Sequence, residues 1–146
     1  MKLVAVQEMI QQFEEGTYPK EKWTHYSHFV MAFWYCYHQP LRTAIRSIKE
    51  GIKKYNISVG GKNTDDAGYH ETITVFYISQ IMQYLAHGDE SAELEDLLAQ
   101  LDHQPFLAKE YPYKFYSKET LMSKEARKKW VAPDKTMASL LNAVGD

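Results

Sequence analysis

Residues 69–86, YHETITVFYISQIMQYLA, admit two readings, and the fold class turns on which is taken. Ile73, Val75, Phe76 and Ile78 each suit a strand, because β-branched and aromatic side chains pack well on a pleated surface. The run is long for a strand and continues without a break through QIMQYLAH (80–87), so a helix is expected. Strand is the competing reading.

Toward the N-terminus, GGKNTDDAG (60–68) is the clearest loop, and the helix before it, Leu41–Val59, the clearest amphipath. Leu41, Ala44, Ile45, Ile48, Ile52 and Tyr55 form one stripe, while Arg42, Arg46, Lys49, Lys53 and Lys54 occupy much of the rest. Gly60-Gly61 closes it. A second helix is expected over Lys20–His38. It is apolar or aromatic all round from Phe29 to Tyr37 and therefore central, and Gln39-Pro40 ends it. The first, Val4–Glu15, repeats Val6, Met9, Ile10 and Phe13 at helical spacing, with Gly16 as its stop.

On the other side, Ser91–Leu101 makes a short fifth helix with Leu94, Leu97, Leu98 and Leu101 on one face. Beyond Pro105 the periodicity weakens. Ser117 and Ser123 read as caps for SKETLM and SKEARKKW, and Pro133 breaks the chain after them. Lys135–Asp146 is a loosely docked helix or a frayed tail. The expected fold is all-α: a compact single-domain helical bundle over residues 1–146, with about five main helices and short C-terminal helices.

The composition agrees with one globular domain. At 146 residues the chain can bury a real core, and 45% hydrophobic with 25% charged residues argues against disorder. Eleven Tyr, six Phe and three Trp suit dense aromatic packing or an aromatic-walled cavity. The net charge of −2 argues against nucleic acid as a partner, although it is unevenly spread: +3 over residues 1–59, −8 over 60–103 and +3 over 104–146. Oppositely charged faces of one domain are the simplest cause. Cys36 is the single cysteine and lies in the densest apolar run, so it reads as buried packing, with no disulfide to need an oxidising compartment. No stretch has membrane-spanning length and no signal-peptide pattern opens the chain, so a cytoplasmic protein is expected.

Two polar clusters could carry chemistry. In WTHYSH (23–28), His25 and His28 are three apart, which on a helix places both imidazoles on one face. If Thr24 caps that helix, the dipole disfavours their protonation and leaves lone pairs to offer. In GYHETIT (68–74), His70 and Glu71 lie a quarter-turn apart at another helix start, with Thr74 one turn on and Gly68 allowing a tight entry. Should the two helix starts meet, three imidazoles and a carboxylate would suit zinc, iron or manganese. The plain alternative is that these histidines bond neighbouring carbonyls or cap a loop. No HExxH, CxxC, phosphate loop, GxSxG or His-Asp doublet is present. His38, His87 and His103 read as solvated, and Arg127-Lys128-Lys129 as an exposed helix face.

Taken together, FEEGTYPKEKWTHYSH (13–28), AIRSIKEGIKKYN (44–56), GYHETIT (68–74) and FYSKETLMSKEARKKWVAPD (115–134) resemble an uncharacterised family of small bacterial helical proteins with WTHxxH and YHET segments. That resemblance implies a compact domain and a pocket made of Trp23, His25, His28, Tyr69, His70, Glu71 and Thr74. Arg46 and Asn63 are weaker members, and Arg127 and Trp130 are expected to fold back over it.

Three functional classes are open on these residues. In a metalloenzyme, His25, His28 and His70 would hold a divalent metal, with Glu71 as fourth ligand or general base and His70 beside it in catalysis. In a metal-free small-molecule site, Trp23, Tyr26, Phe29 and Tyr69 would wall the ligand, with Thr74, Arg46 and Asn63 among its polar contacts. In a structural or protein-interaction module, the cluster only satisfies helix ends. A homo-oligomer is compatible with all three.

Overall fold

The computed structural model describes residues 1–89 and 91–135, and among these there is no strand. The four longest helices are α1 (Leu3–Glu15), α2 (His25–His38), α3 (Leu41–Ser58) and α4 (Glu71–His87). They are followed by α5 (Leu94–Leu101), α6 (Lys118–Leu121) and α7 (Lys124–Lys128). Residues 69–86 are thus helical from Glu71 on. Length and packing against α2, α3 and α7 override the strand preference of individual side chains.

Helix α2 is the hub, packed against α1, α3 and α4, which explains why Phe29, Val30, Met31, Phe33 and Cys36 are buried all round it. Of the starts the sequence leaves open, it takes the one capped by Thr24. Residues 20–22 form a separate 3₁₀ turn, and the Thr24 hydroxyl accepts from Ser27 N–H while Ser27 reaches back, a reciprocal cap that starts α2 at His25. The inward face of α1 is the expected one: Val6, Met9, Ile10 and Phe13. Helix α3 presses against it at Gly51, where an added Cβ would stand 2.8 Å from the Phe13 ring. In α3 the expected stripe holds at Ala44, Ile48, Ile52 and Tyr55, but Leu41 is exposed.

Helix α5 buries Leu97, Leu98 and Leu101 and starts three residues later than expected, because Ser91 instead bonds Asp89 in a turn. Ser117 and Ser123 cap α6 and α7 as expected. Phe76, Tyr116 and Leu121 form a second small core beneath these short helices. Of the C-terminal tail, residues 136–146 lie outside those described. No described helix is long and apolar enough to cross a membrane.

The chain after α7 is tied down by Thr72, which is fully buried. Its hydroxyl donates to the Lys129 carbonyl at 2.9 Å and accepts from Val131 N–H at 3.1 Å. Tyr116 donates to the Val131 carbonyl at 2.6 Å, and Asp134 accepts from Ser117 N–H, Ser117 Oγ and Thr120 Oγ1. Thr72→Val keeps the shape but strands both backbone groups, and is expected to cost about 1–3 kcal/mol by urea denaturation, with Thr72→Ser recovering most of it.

Candidate functional site

The Thr24 cap places His25 in the first turn of α2 and His28 one turn later. The His25 Nε2–H donates to the Leu107 carbonyl at 2.9 Å, and its ring meets Phe29 and Tyr77 edge-on. The His28 Nδ1–H donates to the Thr24 carbonyl at 2.7 Å, and its ring lies 4.1 Å from that of Trp23. A carbonyl can only accept, so each bonded nitrogen carries the proton and, in the neutral ring, the other holds a lone pair. Those second nitrogens, Nδ1 of His25 and Nε2 of His28, have no hydrogen-bond partner among the described residues. Burial holds the His28 pKa below the usual imidazole range, and the nearby His25 lowers it further against the opposing pull of the Thr24 carbonyl.

The second cluster is built differently from expectation. His70 precedes α4 as its cap: Nδ1 accepts from Ile73 N–H at 3.1 Å and Nε2–H donates to the Leu121 carbonyl at 2.7 Å. Both ring nitrogens are therefore engaged, and neither is open to a metal. Glu71 turns the other way, to Lys49 of α3 at 2.8 Å, with the Tyr69 hydroxyl at 3.3 Å. The expected convergence of His25, His28, His70 and Glu71 does not form. Among the described residues, no three His, Cys, Asp or Glu side chains stand close enough to share a metal ion. A quarter-turn between His70 and Glu71 sends one toward α6 and the other toward α3. In this fold His70 is a helix cap and Glu71 one half of an ion pair.

The remaining expected members scatter. Asn63 is a loop staple: Oδ1 accepts from Asn56 Nδ2 and Tyr69 N–H, and Nδ2 donates to the Lys53 carbonyl. Arg46 is exposed on α3, away from both clusters' hydrogen bonds. Tyr69 is buried, with Lys53 over its ring at 4.9 Å. Trp23 packs among Phe13, Tyr55 and His28, and its Nε1–H is buried with no hydrogen-bond partner among the described residues. Arg127 does fold back, donating to the Gly68 carbonyl at 2.8 Å, whereas Trp130 is half-exposed. Burial pushes the Cys36 thiol up to about 12, in keeping with a packing role.

What the fold does build is a cavity of about 300 Å³ between α2, α3 and α4. His25, His28, Phe29 and Ala32 line it from α2, Ile48 and Ile52 from α3, and Ile73, Thr74 and Tyr77 from α4. Lys109, Pro112 and Tyr113 close it from the irregular segment after α5, and Leu121 from the end of α6. Thr74 lines it while donating its hydroxyl proton to the His70 carbonyl at 2.7 Å. His25, His28 and Thr74 are thus the expected site residues brought together here. Phe29, expected as an aromatic wall, joins them.

Tyr77, Lys109 and Tyr113 were missed. Tyr77 was reachable, since it lies three residues beyond Thr74 on one helical face. Lys109 and Tyr113 lie where no periodicity announces a partner. No protein-family model, curated protein or solved structure matches the chain, so function has to be argued from the site itself.

His28 and His70 both resist protonation in the fold, chiefly through burial. The unfolded chain protonates such rings near about pH 6.5, so below that point it binds more protons than the native state. Stability is therefore expected to fall as pH drops from about 7 toward 5 in urea titrations. His70→Asn retains a capping acceptor without a titrating ring, and should make that decline shallower.

Proposed function

We propose that the protein binds a small, mainly apolar organic molecule in the cavity between α2, α3 and α4. One observation carries this: two imidazoles, each oriented by a backbone carbonyl and each with an open nitrogen, line a cavity otherwise walled by mostly apolar side chains. A few convergent polar groups in an apolar hollow of about 300 Å³ match the usual make-up of a small-molecule site. The apolar walls would supply affinity through burial, and the imidazoles would orient the ligand's polar end.

A divalent metal fits less well. Two imidazoles fall short of the three protein ligands that catalytic zinc usually has, and His70 is committed elsewhere.

A ligand of about ten heavy atoms would bind with Kd in the micromolar to sub-millimolar range, so the test needs a direct titration. Indole and 1-octanol, added to isotopically labelled protein, are expected to shift the amide and methyl resonances of Ala32, Ile52, Ile73 and Tyr77. Ala32→Phe, which fills the hollow, should abolish those shifts. No perturbation at these residues by either probe, with Ala32→Phe simply more stable, would identify a packing void and leave the interaction-module reading.

A further inference from the structure

We infer that the cavity is selective for a monocarboxylic acid with an apolar body of about eight to ten carbons, its carboxyl group seated between His28 and Lys109. This rests on the small-molecule reading above and names the ligand class for the same cavity.

The size comes from the volume. An apolar hollow of about 150 Å³ accommodates one benzene ring, so one of about 300 Å³ takes roughly twice that bulk. Ile48, Ile52, Ile73 and Phe29 would surround the apolar body.

The head group comes from which polar atoms are free. In the neutral rings, the open nitrogens of His25 and His28 are acceptors, so the ligand must bring a proton to share. Lys109 is an exposed, positively charged member of the lining, with no salt bridge or hydrogen bond to its ammonium among the described residues. No Asp or Glu lines the cavity among the described residues. An alcohol could share a proton but gains nothing from Lys109, and an amine would be repelled by it. A carboxylic acid satisfies both demands, because its proton passes to His28 Nε2 and the carboxylate left behind lies between that imidazolium and Lys109. Binding of a carboxylate from neutral solution therefore takes up one proton.

The surroundings of His28 permit this. His25 is the other titratable group from α2, and Lys109 and Tyr113 come from the covering segment. The α3 wall offers Ile48 and Ile52, and α4 offers Thr74 and Tyr77 as its polar groups. Tyr77 leans toward the Ala108 carbonyl at 3.5 Å. Glu110, whose charge reaches Tyr77, stands outside the lining.

Octanoate, 1-octanol and octylamine share one chain and differ only in the head group, so calorimetric titration of all three into the full protein tests the inference. Octanoate is expected to bind at least about tenfold tighter than either neighbour. Its heat in two buffers of different ionisation enthalpy should report about one proton taken up. Lys109→Ala, at an exposed position, should reduce that preference several-fold, and His28→Phe, which keeps a ring against Trp23, should remove the proton uptake. Equal or tighter binding of 1-octanol or octylamine would overturn the carboxylic acid while leaving the cavity as a ligand site. So would octanoate selectivity unaffected by both variants, since the head group would then sit elsewhere. Failure of all three probes to bind would overturn both the ligand class and the small-molecule reading.

Discussion

Much of this structure is anchored where α4 begins. His70 accepts from the Ile73 amide and donates to the Leu121 carbonyl, so one neutral ring both starts α4 and holds the end of α6. Protonation would set a donor against the Ile73 N–H and break that arrangement. The next two residues extend the joint in other directions. Glu71 reaches Lys49 on α3, and Thr72 ties down the chain after α7 through two backbone groups. Four consecutive residues, Tyr69 to Thr72, are buried, and three of them are polar. Each polar side chain is satisfied by a different part of the chain, which is what makes burying them tolerable.

That joint also shapes the cavity. With α4 held against α3 and α6, the side chains one and two turns into α4 face α2 across a gap that the covering segment closes from outside. Phe29 of α2 and Tyr77 of α4 meet edge-on at 4.5 Å, and both line the hollow with Tyr113 and Ala32. Leu121 belongs to both features: its carbonyl receives the His70 proton and its side chain lines the hollow. The polar end is set by α2 instead. Thr24 caps that helix, and its carbonyl fixes the tautomer of His28.

Charge is arranged with the same economy. The acidic stretch 60–103 meets the basic termini in specific pairs: Glu71 with Lys49, Asp65 with Lys128 and Asp66 with Lys124. The last two are surface pairs that add little stability, but they lie beside Arg127 on the Gly68 carbonyl, where the C-terminal part of the chain folds back. Three acidic groups of the 60–103 stretch thus find their partners in the basic stretches on either side of it.

The sequence by itself determined the all-helical class, the identity of the helices and most of their inward faces. Periodicity and capping are local, and Val6–Phe13 in α1, Ile48–Tyr55 in α3, Thr24, Ser117 and Ser123 each act within a turn or two of themselves. It also marked His25 and His28, three apart on one helix face, and Thr74, one turn beyond His70 on another helix. It left open whether His70 would cap or ligate, and it could not say that Asn63 would staple a loop or that Lys109 and Tyr113 would close a cavity. The Asn63 bonds span 6 to 10 residues through an irregular loop, and the longest contacts span 51 residues for His70 with Leu121 and 82 for His25 with Leu107. A side chain's chemistry sets the bonds it can make. Only packing decides which partner comes within about 3 Å, and here it gave His70 to the backbone and left His25 and His28 each with a nitrogen open.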